Sequence, residues 1–351
     1  MPLLPSVHPI LEFRGSPRAA GKSYGEQQAV LLREALKHIP KGLTSRRRHY
    51  ARECWQVLRR WERPVVEFLL GVAVGSRLPP PELMALQLFE EYGHMRHCTA
   101  MGATGSATRD GSAIIAQSWD DDTPMLYPAV SLLRLRTDAT PATLTYALPG
   151  RWAAAGINEH GLAVVWTSSG VRPSLVEPRV GVPTYTLVAG ILTCRDCAAA
   201  VALVRRTRNA GCFIFLLADA TGEVWGLEGM PGRVEAIQCR DLITRSNHYQ
   251  CRAMRCAAKQ RLPSRSTFAY NSQPRAARIA ALTGRFRGHI DGPVIESIYR
   301  DHQPKQGLCI CLHGDPGPYL TVDSFYAVPA KREFFIARGY VCRHAFTRHQ
   351  L

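Results

Sequence analysis

Residues 97–100, His97-Cys98-Thr99-Ala100, divide the chain into two parts of different pattern. Before them, apolar residues recur at three- and four-residue spacing, the period of an amphipathic helix. After them come short apolar runs bounded by turn residues, the signature of strands. The cysteine at this junction is followed closely by strand-like sequence that ends in Gln117-Ser118-Trp119-Asp120.

Upstream of the junction the spacing predicts helices over Pro17–Lys37, Arg46–Gly71 and Pro80–Tyr92. The second carries Trp55, Leu58, Trp61, Val65, Phe68 and Leu69 in register. Pro40-Lys41-Gly42 and Pro79-Pro80-Pro81 separate the pieces. Downstream, strands are predicted at Ala113–Gln117, Ser131–Arg136, Thr143–Leu148, Leu162–Thr167, Phe213–Ala218, Glu223–Leu227 and Arg233–Ile237. Arg109-Asp110-Gly111 and Asn158-Glu159-His160-Gly161 read as turns between them. Helices are predicted at Thr184–Leu192 and Arg195–Arg206, then from Tyr249 to Arg300 with breaks at Pro263 and Pro274. Strands return at Leu308–Leu312, Tyr319–Ala327 and Glu333–Ala337. Successive strands without a helix between each pair predict an α+β fold of packed antiparallel sheets with helices outside, not a doubly wound parallel sheet.

The 351 residues, 46% of them hydrophobic, suffice for a sizeable core. No apolar run approaches the roughly 18 residues of a membrane span, so no membrane partner is expected. Met1-Pro2-Leu3-Leu4-Pro5 lacks the basic region and apolar core of a secretory signal. The net charge of +16 comes mostly from scattered arginines, with one tight run at Arg46-Arg47-Arg48. No nucleic-acid motif accompanies them, so no nucleic-acid partner is expected. Eleven cysteines, an odd number in a chain this long, point to a reducing, cytoplasmic setting with most thiols buried.

Three short segments carry the candidate chemistry: Cys98, the Trp119-Asp120 pair, and Arg245-Ser246-Asn247-His248-Tyr249. Other signals read as structural. Cys194-Arg195-Asp196-Cys197 lacks thioredoxin-like context, and Asp196 reads as a helix start. Cys309-Ile310-Cys311-Leu312-His313 would put two cysteines on one strand face. It has no second ligand pair at zinc-finger spacing, so a buried strand and no metal are expected. Cys251 and Cys256 are taken as ordinary surface or core thiols. With twelve histidines available, an unprocessed Cys/His hydrolase would pair Cys98 with His248 or His313, though no papain-type sequence flanks Cys98.

Taken in order, these segments resemble the acyl-coenzyme A:6-aminopenicillanate acyltransferase family, the self-processing cysteine peptidases of the penicillin acyltransferase type. Arg14-Gly15-Ser16-Pro17, with Gly21 and Tyr24-Gly25-Glu26, is similar to its opening helix signature, and Cys98-Thr99 to its cleavage point. Trp119-Asp120, Gly156-Ile157-Asn158-Glu159-His160-Gly161-Leu162, Gly226-Leu227-Glu228, Ser246-Asn247-His248, Thr321-Val322 and Ala337-Arg338-Gly339 follow in order. The resemblance implies the four-layer αββα sandwich of N-terminal-nucleophile hydrolases. It also implies cleavage between His97 and Cys98, with residues 1–97 kept as a packed helical subunit of one unit with the catalytic region 98–351.

Such an enzyme is an amide hydrolase or acyltransferase that forms an acyl-enzyme on Cys98. The freed α-amine, with a pKa of about 8, serves as the base for a thiol of about 8.5. Asn247 is then the candidate oxyanion donor and Asp120 orients the amine or supports cleavage, while Thr99, Trp119, Glu228 and His248 shape or support the site. The partners implied are a small-molecule amide or acyl donor and an acceptor. No cofactor is implied, and a coenzyme A thioester enters only as a co-substrate of the transferase. A degenerate member would bind an acylated small molecule without turnover.

Three departures stand out. His97 replaces a glycine before the nucleophile, Met230 replaces a serine after Leu227-Glu228-Gly229, and no arginine is found near Pro316-Gly317-Pro318. Penicillin-type specificity is therefore not expected.

Overall fold

The computed structural model describes residues 7–39, 41–93, 97–121, 129–260, 267–302, 310–314 and 319–351, with only the backbone described at 267–271. Pro263, Cys309 and the Pro316-Gly317-Pro318 segment lie outside the described residues.

Two sheets form the centre, and the fold is the expected α+β αββα sandwich. The first runs β1(Ile10–Gly15), β4(Ser131–Thr137), β5(Thr143–Ala147), β6(Ala155–Asn158), β7(Ala163–Thr167), β8(Phe213–Ala218), β9(Val224–Met230) and β10(Arg233–Cys239). The second runs β11(Leu242–Arg245), β2(His97–Ala103), β3(Ile114–Asp121), β12(Leu320–Val328), β13(Glu333–Arg338) and β14(Thr347–Gln350). Strands β2 and β3 pack face to face on β7 and β8. Helices α8(Thr267–Arg285) and α9(Gly292–Tyr299) cover the outer face of the second sheet, and α6(Cys197–Arg206) covers part of the first.

Burial explains the strand reading. In β2 and β3 every residue is buried, as expected of strands covered on both faces. Trp119 lies between the sheets against Tyr146 and Trp166, with ring centroids 5.5 and 5.8 Å away. On alternate positions, Met101 and Ala116 join the apolar cluster under α8 and α9. Gln117 reaches across, its Oε1 accepting the Trp166 backbone N–H of β7 at 2.8 Å.

The N-terminal segment is not wholly helical. Strand β1 pairs in parallel with β4, the single departure from antiparallel pairing among the paired strands described. His8 precedes it, buried, with Nε2 3.0 Å from Asp323 Oδ1 of β12. The stretch from Arg46 to Gly71 is two helices, α2(Ser45–Leu58) and α3(Arg63–Ser76), because Pro64 can start a helix but not continue one. Pro274, by contrast, lies inside α8. The expected strand at Leu308–Leu312 is absent over its described residues 310–312. Asp196 caps α6 as predicted, its Oδ1 accepting the Ala199 N–H at 2.9 Å. Asn158 organises the turn before β7 by accepting the His160 and Leu162 N–H groups at 3.0 Å.

Four glycines decide how α1(Pro17–Lys37) meets α3. A Cβ on Gly21 would stand 2.1 Å from the Phe68 carbonyl oxygen, and one on Gly25 2.5 Å from that of Val72. Reciprocally, a Cβ on Gly71 would stand 2.1 Å from the Arg18 oxygen and one on Gly75 2.0 Å from that of Lys22. The helices therefore touch backbone to backbone. Alanine favours a helix over glycine by about 1 kcal/mol, while overpacking costs about 1–3 kcal/mol. At this crossing the clash is with fixed backbone, so packing wins. Gly75→Ala is expected to lower the thermal midpoint by several degrees. Gly284→Ala, in α8 with nothing among the described residues within 4 Å of the new carbon, should hold or raise it. Calorimetry of both variants checks the sign.

Candidate active site

The first residues of β2 meet the ends of β7 and β11 at one edge of the two-sheet core. Thr167, closing β7, donates to the Ser246 carbonyl just past β11 at 2.8 Å. That contact carries Asn247 to the nucleophile candidate. The Cys98 backbone N–H donates to Asn247 Oδ1 at 3.0 Å, and Asn247 Nδ2 donates to the Ser168 carbonyl at 3.0 Å. Oδ1 faces donors and Nδ2 faces an acceptor, which settles the orientation of the amide. Asn247 thus holds the nitrogen of Cys98. Cys98 and Asn247 are 2% and 1% exposed.

Arg275 of α8 completes the constellation, and sequence reasoning missed it. Its guanidinium is fully buried. It donates to the Cys98 carbonyl and Thr99 Oγ1, each at 2.6 Å, and to Asn247 Oδ1 at 2.5 Å. No arginine was expected from the family's position before the final strands; this one arrives on a helix that crosses the second sheet. Its only sequence signal was the position next to Pro274, which read as a break.

Strand alternation sends neighbouring residues of β2 to opposite faces. Cys98 pairs with Trp119 across the ladder and His97 with Asp120. Trp119 is core beside Cys98. Asp120 lies on the helix-covered face with Thr99, its Oδ1 accepting from Thr321 Oγ1 at 2.6 Å and its Oδ2 from Ser118 Oγ at 3.2 Å. Burial raises its pKa to about 7, against the opposing pull of Arg275. His97 is fully buried and stacks on Tyr319, centroids 3.4 Å apart. Burial, then the Arg275 charge, pushes its pKa down to about 2, so the ring is neutral.

Glu228 and His248 support the loop carrying Asn247. Glu228 accepts the backbone N–H groups of Gln250 and Cys251 at 2.9 and 3.0 Å and lies 3.4 Å from Arg245 Nε. Burial raises its pKa, while Arg245 opposes the rise. His248 Nδ1 lies 2.7 Å from Ser272 Oγ and 3.3 Å from Ser246 Oγ, and burial lowers its pKa to about 4. His313, the other histidine of the Cys/His alternative, is engaged in a cluster with His302, Cys311 and Cys342, the one group among the described residues suited to a metal.

Removing Glu228 would take the carboxylate from the buried Arg245 charge and the acceptor from two backbone donors together, leaving Arg245 only its neutral acceptors on Thr244 and Gln250. Losing one partner of a buried ion pair costs about 3–5 kcal/mol. Glu228→Ala is expected to lose most of that in urea unfolding, and Glu228→Gln, which keeps an acceptor, distinctly less.

The model of the acyl-coenzyme A:6-aminopenicillanic acid acyl-transferase family matches residues 107–306. No curated protein matches the sequence. Among solved structures, a mutant of conjugated bile acid hydrolase from Clostridium perfringens is similar at 11% identity and a TM-score of 0.45, covering 72% of this chain and 97% of its own. Penicillin V acylase from Agrobacterium tumefaciens is similar at 13% identity and a TM-score of 0.42, covering 69% and 83% respectively.

Proposed function

Because the chain belongs to the acyl-coenzyme A:6-aminopenicillanic acid acyl-transferase family, we propose that it is a zymogen that cuts itself between His97 and Cys98 and then works as an N-terminal-nucleophile amide hydrolase or acyltransferase. The observation that carries this reading is the grip of Asn247 Oδ1 and Arg275 on the nitrogen and carbonyl of Cys98. An ordinary core cysteine needs neither. A nitrogen that must change from amide to catalytic amine needs both a fixed acceptor and a defined charge beside it.

The chemistry follows from those positions. The Cys98 thiol attacks the His97 carbonyl carbon, the C–N bond breaks, and the departing nitrogen takes a proton. A thioester results, and water releases it with the thiol restored. In the mature enzyme the amine hydrogen-bonds to Asn247 Oδ1. The Arg275 charge opposes its protonation, so it stays free to take the thiol proton. A small-molecule amide or thioester acylates Cys98, and water or an amine acceptor takes the acyl group. Coenzyme A would enter only as the leaving group of a thioester donor. Asn247 Nδ2 and Arg275 are the candidate donors to the developing oxyanion, where loss of one donor typically costs about 100- to 1,000-fold in rate.

The N-terminal fragment would stay bound. It contributes β1 to the first sheet, and α1, α3 and α4(Pro80–Gln87) supply residues to the common core. By proportion of 38.9 kDa, the cut gives fragments of about 11 and 28 kDa. Both are expected to elute together in native buffer and to separate by mass spectrometry under denaturing conditions, the larger beginning at Cys98. Cys98→Ala should stay intact. A folded wild-type chain of undivided mass would defeat the proposal. If that chain still hydrolysed amides, a Cys/His hydrolase would be indicated; ligand binding without turnover would indicate a degenerate binder.

Asp120 supplies the pH signature. We assign it the proton given to the departing Cys98 nitrogen, and the proton lost by the attacking thiol restores the Asp120 carboxyl. That proton is lost as pH rises through about 7, so cleavage of refolded precursor should fall on the alkaline side with a midpoint near there. Asp120→Asn should be slower and lack that limb. A wild-type rate that instead rises through the same range would make Asp120 a base.

A further inference from the structure

We propose that His302, Cys311, His313 and Cys342 form a tetrahedral site for a structural zinc ion. Four residues from three places converge: His302 follows α9, Cys311 and His313 lie just before β12, and Cys342 follows β13. Their nearest ligand atoms all lie within 4.8 Å of one another. The sequence pattern hid this because Cys311 and His313, two members of the visible motif, have partners 9 residues before the one and 29 after the other in the chain.

The three separations about His313 Nε2 are close to those of a coordination shell. With Zn–N of about 2.0–2.1 Å and Zn–S of about 2.3 Å, a tetrahedron places its ligand atoms about 3.3 Å (N to N) and about 3.5 Å (N to S) apart. Here His302 Nε2 and His313 Nε2 are 3.0 Å apart, and the Cys311 and Cys342 sulfurs lie 3.5 and 3.3 Å from His313 Nε2. Hydrogen bonding does not account for the crowding. One ring nitrogen offers either one hydrogen or one lone pair, and three ligand atoms surround this one.

The surroundings orient the ligands. His302 Nδ1 is 2.8 Å from the Arg300 carbonyl, which can only accept, so Nδ1 carries the hydrogen and Nε2 turns a lone pair inward. The His313 ring is held flat against Tyr340, centroids 4.0 Å apart. The Ile310 and Cys311 N–H groups donate to the Asp301 carbonyl at 3.3 and 3.4 Å. The Asp301 side chain pairs with Arg278 of α8. Soft thiolates with imidazoles suit zinc, and four protein ligands close the shell, as in structural sites. On binding, each thiol releases its proton to solvent, and two thiolates then neutralise the dication.

The ion would staple the end of α9 and the C-terminal segment to the turn feeding β12. That turn bears on the active site. The Leu312 N–H donates to Thr321 Oγ1 at 2.8 Å, and Thr321 Oγ1 donates to Asp120 at 2.6 Å.

The test is the metal content of the full chain, purified without a metal-affinity tag from zinc-supplemented culture and dialysed. Elemental analysis is expected to find about one zinc per chain in the wild type. Cys342→Ser and His302→Ala should carry little, and Cys256→Ser, at an exposed thiol outside the cluster, should match the wild type. Should the ligand variants misfold, cobalt(II) added to wild-type chain stripped of metal gives a second readout: the intense visible bands of a tetrahedral thiolate site. Wild-type chain that takes up neither zinc nor cobalt overturns the proposal. So does a Cys311–Cys342 disulfide in the peptide map of freshly purified protein, or zinc that persists undiminished in folded Cys342→Ser and His302→Ala.

Discussion

The site rests on one amide. Asn247 has two functional ends, and each is claimed: the oxygen by the Cys98 N–H and the Arg275 guanidinium, the nitrogen by the Ser168 carbonyl. Three elements meet there, the start of β2, the end of β7 and the loop after β11. Replacing Asn247 with an apolar residue would leave a buried guanidinium short of an acceptor and a backbone N–H unsatisfied in one stroke, each costly in a low-dielectric interior. Glu228, Tyr249 and Thr167 secure the loop that delivers Asn247. The Tyr249 hydroxyl donates to the Gly229 carbonyl at 2.5 Å. Positional accuracy at Cys98 is therefore inherited from β9, two strands removed in the first sheet from β7.

Electrostatically the site is a place where burial and charge contend. Arg275 stabilises a carboxylate at Asp120 and disfavours a proton on His97, while desolvation favours the neutral form of both. At Asp120 desolvation wins and leaves a carboxyl that titrates near neutrality. At His97 the two effects act together and hold the ring neutral.

The strand-rich interior was legible because buried strands write uninterrupted apolar runs, and Phe213–Ala218 is found with the bounds that its run predicts. The helix α1 is likewise found from Pro17 to Lys37. What sequence could not show are features that local pattern does not encode. Strand β1 is short, half polar and paired with a partner more than a hundred residues away. Arg275 was hidden by Pro274, since a proline argues against a helix unless tertiary contacts hold it. Of the candidate residues, Cys98, Thr99 and Asn247 converge through Arg275. Asp120 lies on the Thr99 side of β2, Trp119 is core, and Glu228 and His248 brace the loop. Cys311 and His313 were visible as a motif, but proximity to His302 and Cys342 belongs to the fold.

The burial of His97 and Cys98 has a thermodynamic consequence. The bond between them lies where both residues are 0–2% exposed, at the beginning of an interior strand. Hydrolysis there would replace one uncharged amide with a carboxylate and an amine. A new ion in such a place carries a desolvation penalty of several kcal/mol. Arg275 can offset part of it for the carboxylate and adds to it for a protonated amine. The remainder is relieved only if the cut end of His97 leaves its stack on Tyr319 and the space hydrates. Maturation would then be a wetting transition as well as a bond cleavage, beginning on the helix-covered face of β2 where the His97 ring now lies.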